Sequence, residues 1–223
     1  MKASWLLISS LVCLSACSNP KVASEGNFRR AIDNWIEKDP PCLRLRDDGL
    51  DRPGRKDGAF PLYFALPTEP NISAAQREER LKAIAPYDAL VDAGILQTTR
   101  TRIEQHGWFG PDTTVAVIAY ELTDKGKGTI SPAGKNAFGQ PNTLCYGKPK
   151  VDEIVHFTEP ADAMGMKMSH VSYRYHVADL PDWIDNAKVK AAFPDIAEAT
   201  AEHLDNKATL VLTNDGWKHE REM

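Results

Sequence analysis

Along FRRAIDNWIEKD the apolar residues Phe28, Ile32, Trp35 and Ile36 recur at helical spacing, and the pattern stops at Pro40-Pro41. One amphipathic helix docking on a core is predicted there, with Asn27 available as its N-cap. The next stretch, LRLRDDGLDRPGRKDG, is rich in charge, Gly and Pro and has no period, so it reads as an exposed loop before the strand-like FPLYFAL. Ser73-Ala-Ala-Gln76 fits a capping box and opens a second helix. Pro86 then interrupts IAPYDALVDAGIL. A proline removes a backbone donor in mid-helix but suits a first turn, which predicts a fresh short helix from Pro86, closed by Gly94. QTTRTRIE, a turn at HGWFGPD and TTVAVIAYEL follow as a hairpin, ending in the turn TDKGKG.

Past the loop SPAGKNAFGQPN, the strands TLCYG and KVDEIVHFT lead through a turn at EPADAMG into KMSHVSYRYHVA. Period two is clean in that last segment: Val171, Tyr173, Tyr175 and Val177 share one face, while His170, Ser172, Arg174 and His176 share the other. LPDWIDNAKVKAAFPDIAEATAEHLDN is helical, with Pro181 near its start and a break at Pro194, and ATLVLT with the turn NDGW supplies a last strand. The succession predicts an α+β fold, a helical unit over 27–130 followed by an antiparallel sheet with a helical excursion over 131–223.

The first residues have another character. Lys2 precedes ASWLLISSLVCL, about a dozen apolar residues, the length of a secretory h-region and short of the roughly 20 needed to span a bilayer. The run ends in Leu14-Ser15-Ala16-Cys17, which resembles the lipobox of bacterial lipoprotein precursors. That resemblance implies a signal peptide over 1–16, a diacylglycerol on the Cys17 thiol and an acylated new amine, the palmitate-bearing anchor of a mature chain. Two or more acyl chains hold stably, at about 0.8 kcal/mol per buried methylene. Residues 17–26 then form a lipidated tether, small and polar. In that class Ser18 after the cysteine favours the outer membrane, with the body in the periplasm.

Removing the first 16 of 223 residues leaves 207, and the net charge goes from −4 to −5 because Lys2 departs. A mildly acidic protein facing away from the cytoplasm has no electrostatic case for nucleic acid. Of four cysteines, Cys13 leaves with the signal and Cys17 takes the lipid. Cys42 and Cys145 remain, and in an oxidising compartment they are expected to pair.

Within 70–130, YDALVDAGIL followed by AYELTDKGK resembles the winged-helix pattern, which would make Arg100, Arg102, Lys125 and Lys127 a basic wing. A lipoprotein does not meet the genome, so the resemblance implies a scaffold only. AYELTDKGK, CYGKPKVDEIVHFTEP and LPDWIDNAKVKAAFP together resemble proteobacterial lipoproteins, a likeness that brings no activity or ligand.

Chemical motifs are sparse. His170 and His176 lie six apart on one strand, about 20 Å, too far to share a metal, and no GxSxG elbow, HExxH, P-loop or EF-hand loop occurs. Trp183 in LPDW reads as packing at a helix start. Trp108 and Phe109, flanked by Gly107, Gly110 and Pro111, are a candidate contact tip. The expectation is a non-enzymatic, cofactor-free envelope lipoprotein that binds or scaffolds an envelope protein. The alternative is a periplasmic enzyme or small-ligand binder with a site between the two units, near His156, Arg174 and His176.

Overall fold

The computed structural model describes residues 19–46, 60–105, 111–129, 143–163 and 165–223. The described residues form an α+β protein with three antiparallel sheets. Cys17, Trp108 and Phe109 lie outside the described residues, as does the junction near residue 130.

The first layer follows the chain from β2 (Leu62–Ala65) through α2 (Ala74–Asp92) to the hairpin β3 (Leu96–Gln105) and β4 (Thr113–Leu122), with spatial order β2-β4-β3. The capping box forms as its spacing requires: the Gln76 N–H donates to Ser73 Oγ at 3.2 Å and the Ser73 N–H to Gln76 Oε1 at 2.8 Å. At the other end Gly94, at φ +73°, donates to Val91 O while the Ile95 N–H donates to Leu90 O. These two bonds are the Schellman closure.

Pro86 does not start a new helix: α2 is continuous through it. A mid-helix proline costs about 3 kcal/mol, but Ile84, Tyr87 and Leu90 on either side are all buried in one cluster, and each such side chain contributes about 1.5–3 kcal/mol. Packing therefore outweighs the lost hydrogen bond. TDKGKG likewise winds into a helical turn, α3 (Asp124–Lys127), because Thr123 Oγ1 accepts the Gly126 N–H at 3.0 Å.

The second layer is the sheet of β6 (Lys148–Phe157), β8 (Met166–Ala178), β9 (Leu204–Thr213) and β10 (Gly216–His219), in spatial order β10-β9-β8-β6, with β7 (Ala161–Ala163) also paired to β8. The turn expected at EPADAMG thus carries a short strand, and NDGW turns into a further one. Alternation holds on β8, where Val171, Tyr173 and Val177 are buried. On β6 the register slips twice, at Val151/Glu153 and Ile154/His156. These irregularities let Val151 and Ile154, three apart, both face inward.

Across that inner face lies α1 (Glu25–Ile36), in contact with β6, β9 and β10. It begins three residues before the start that an Asn27 N-cap would set: Ser24 is the cap, and its Oγ accepts from the Asn27 N–H at 3.4 Å. Phe28 meets Phe157 and Trp217 edge-on, at centroid distances of 5.0 and 4.9 Å. Arg29 and Asp33, one turn apart, clamp the edge strand: Arg29 Nη1 donates to Val151 O at 2.7 Å and the Val151 N–H donates to Asp33 Oδ1 at 2.9 Å. Two backbone groups at a sheet edge are thereby satisfied.

Apolar residues segregate into two clusters that do not follow chain order. The cluster around α2 takes Leu62, Phe64 and Tyr120, but also Leu144, Tyr146, Trp183, Ile184, Val189 and Ile196 from the second half. These arrive on β5 (Thr143–Cys145), a 3-10 turn (Asp182–Asp185), α4 (Ala187–Ala192) and α5 (Pro194–Ala199). Trp183 is buried against Tyr146, edge-on at 5.8 Å. Conversely α1, from the first half, completes the other cluster. Joining early and late chain, β1 (Cys42–Arg44) pairs with β5, and Cys42 and Cys145 face each other in register as a disulfide with Cα atoms 4.0 Å apart.

Candidate functional site

At the C-terminal end of α1 the sheet runs on past the helix that covers it, and a cleft of about 220 Å³ opens there. Its floor is the inner face of β8, where Tyr173, Tyr175 and Val177 alternate into it; Trp35 and Ile36 bring the helix wall, and His219 and Arg221 close it from the chain's last turn. Ala199, which packs on the α2 cluster, also reaches the rim, so the cleft lies where the two clusters meet.

His219 ends β10 and is buried, its ring stacked on Trp35 at 5.1 Å and 22°. Its Nδ1 accepts the Arg221 backbone N–H at 3.2 Å, which leaves Nε2 to carry the proton of the neutral ring. Burial holds its pKa below the ordinary histidine value; Glu220 opposes this and Arg221 reinforces it. Tyr173 and Tyr175 stand 5.8 Å apart. Burial pushes the Tyr173 phenol up to about 12, Tyr175 adding and Arg221 and Asn206 opposing, and burial also raises Tyr175. Both phenols stay protonated at neutral pH and can donate. The cleft therefore offers flat aromatic surfaces, phenolic donors and one guanidinium, with Asp39 and Glu220 as acids at its edge.

His156, Arg174 and His176 are elsewhere. They occupy the opposite face of the sheet, which α1 does not cover. His156 is exposed. Arg174 bridges Glu153 at 3.1 Å and Asp205 at 3.3 Å, and His176 Nδ1 lies 2.6 Å from Asp152. Exposed pairs of this kind are worth about 0–1 kcal/mol. The alternation that puts Tyr173 and Tyr175 on the inner face puts Arg174 and His176 on the outer one. In sequence, Trp35, Tyr173 and Tyr175 have the spacing of ordinary core residues, and His219 and Arg221 belong to no motif.

Of the basic wing residues, Arg100 and Arg102 are exposed on β3, the edge strand. Lys125 reaches back to Ala93 O at 3.3 Å and Lys127 pairs with Asp124 at 2.8 Å. Among the described residues, no three His, Cys, Asp or Glu side chains gather as a metal site, and no helix is long and apolar enough to cross a membrane. Comparison with protein-family models, curated proteins and solved structures finds no match to this chain.

Proposed function

We propose that this chain is an outer-membrane lipoprotein, anchored through Cys17, whose periplasmic body is non-enzymatic and binds another envelope protein through the Trp35–His219 cleft. The observation that carries the binding reading is the size and lining of that cleft. At about 220 Å³ it falls below the 300–1,000 Å³ of pockets that enclose small-molecule ligands. It suits one or two inserted side chains. Trp, Tyr and Arg, the residue types that dominate binding energy in protein interfaces, supply its walls as Trp35, Tyr173, Tyr175 and Arg221. The Cys42–Cys145 bridge supports an oxidising compartment.

The β2–α2–β3–β4 stretch serves in this reading as a winged-helix-like scaffold. The order β2-β4-β3 with a returning ribbon supports that comparison. A single helix between β2 and β3, where a helix-turn-helix uses two, argues against a nucleic-acid role for it.

A photo-crosslinking residue at Tyr175 in living cells tests the proposal. One envelope protein should be captured reproducibly, and Arg221→Glu should abolish capture without changing the melting temperature. Equal capture from a control at Leu81, which is exposed on α2, would overturn the cleft as the binding surface.

A further inference from the structure

Within the segment expected to be a short polar tether, residues 19–24 are held against the body. Asn27, 5% exposed, donates from Nδ2 to Asn19 O at 2.9 Å and to Val22 O at 2.8 Å. Lys21 N–H donates to Asn19 Oδ1 at 3.0 Å, and the Val22 N–H to Asn19 O at 3.1 Å. Pro20 lies on the β9–β10 hairpin so closely that a Cβ at Gly216, where φ is +120°, would come within 2.9 Å of Pro20 O. One side-chain amide and one close backbone approach thus pin residues 19–24 to a single end of the second sheet.

That end has a consistent character. Gly216 pairs with Thr213 and Met168 pairs with Val211, so two residues further along both strands Met166 is level with Thr213. Among the described residues, Val22 and Met166 are two of the few large apolar side chains left exposed, at 52% and 38%. β7 beside them, Ala161–Ala163, is exposed throughout, and Asp162, Lys167, Lys21 and Asp215 interleave both signs of charge. With strands about 4.8 Å apart, these features form a strip about 15 Å wide.

We infer that this strip, made by Pro20–Val22, the β9–β10 turn, β7 and Met166, rests on the lipid surface and fixes the orientation of the body. The inference depends on lipidation of Cys17. Only Ser18 separates Cys17 from Asn19, so their Cα positions lie within about 7 Å of each other. A pinned Asn19 accordingly sits at the headgroup layer, without a spacer. Exposed Val22 and Met166 with balanced charge match a zwitterionic headgroup surface, which selects for neither sign. From Ser24 the axis of α1 runs away from the strip for about 18 Å, carrying Trp35 and the cleft to the far end of the sheet. The binding cleft consequently faces the aqueous compartment.

The test uses the full lipidated chain in phosphatidylcholine vesicles doped with headgroup-nitroxide lipid. A fluorescent amino acid is placed at Asp215 or at Ala199, on the cleft rim. Quenching at Asp215 should exceed that at Ala199 several-fold, and ten Gly/Ser residues inserted between Ser18 and Asn19 should bring the two together while flotation with vesicles persists. Flotation with equal quenching at both positions in the parent overturns the orientation and leaves the anchor standing. Loss of flotation with an unmodified Cys17 by mass spectrometry overturns the anchor, and the orientation with it.

Discussion

Reduction of the Cys42–Cys145 bridge should destabilise the protein mainly by freeing its unfolded state. The cysteines are 103 residues apart, and the chain-entropy relation for a loop of that length gives about 4.7 kcal/mol at 25 °C. The native side should change little, because β1 and β5 are held by more than sulfur. Leu43 faces Leu144 in register, with Leu144 fully buried, and the Tyr146 N–H donates to Pro41 O at 3.0 Å. For a body of about 200 residues each kcal/mol moves the melting temperature by about 2–4 °C, so the fall should be roughly 10–20 °C. Urea unfolding of oxidised and reduced protein, monitored by near-ultraviolet circular dichroism, checks the size of the effect. The slope against urea should also steepen on reduction, since the open chain exposes more surface. Cys42→Ser with Cys145→Ala should reproduce the reduced protein to within about 1 kcal/mol, the cost of the buried sulfur at 145. A loss below about 1 kcal/mol on reduction, with the native spectrum retained, would refute the argument that the bridge acts through loop closure.

Two further outcomes follow from local geometry. Gly126→Ala places a Cβ 2.2 Å from Ile95 O, a backbone atom that also accepts the Thr123 N–H; about 1–3 kcal/mol should be lost, whereas Gly128→Ala, whose nearest atom is at 3.3 Å, should cost clearly less in the same urea series. His219 has a folded-state pKa below its unfolded value near 6.5, so the unfolded chain binds the extra proton in the window between them. Its contribution is complete above pH 6.5 and declines as pH falls through the folded pKa, by at most about 1.36 kcal/mol per pH unit. Urea midpoints from pH 5 to 8 should converge for the parent and His219→Gln as pH falls, and curves that stay parallel would contradict the assignment.

Residue order alone determined those features whose cause is local. Ser73 and Gln76 cap α2 because three residues bring a hydroxyl and an amide to each other's backbone. Gly94 ends the same helix because a left-handed turn costs it nothing. The two faces of β8 are already written in its alternation, and the apolar stripe of α1 in its spacing. Elimination among four cysteines, given the lipobox resemblance, named the Cys42–Cys145 pair.

Only the tertiary structure decided what depends on partners distant in the chain. Pro86 stays helical because Phe64 and Tyr120, more than twenty residues away on either side, pack on Tyr87, and periodicity contains no such term. Nothing in FRRAIDNWIEKD indicates that its apolar stripe covers the last sheet instead of its chain neighbours. Trp183 could be assigned to a core but not to the core formed by the first half. The cleft is the extreme case. Trp35, Tyr175 and His219 are each ordinary in sequence, and they meet because the sheet runs on past the end of the helix packed across it. Hydrophobic burial rewards any contact that excludes water and is indifferent to separation along the chain. The pattern of a sequence therefore fixes which faces must be covered, while the choice of what covers them, and the hollow left where the cover ends, belongs to the folded molecule.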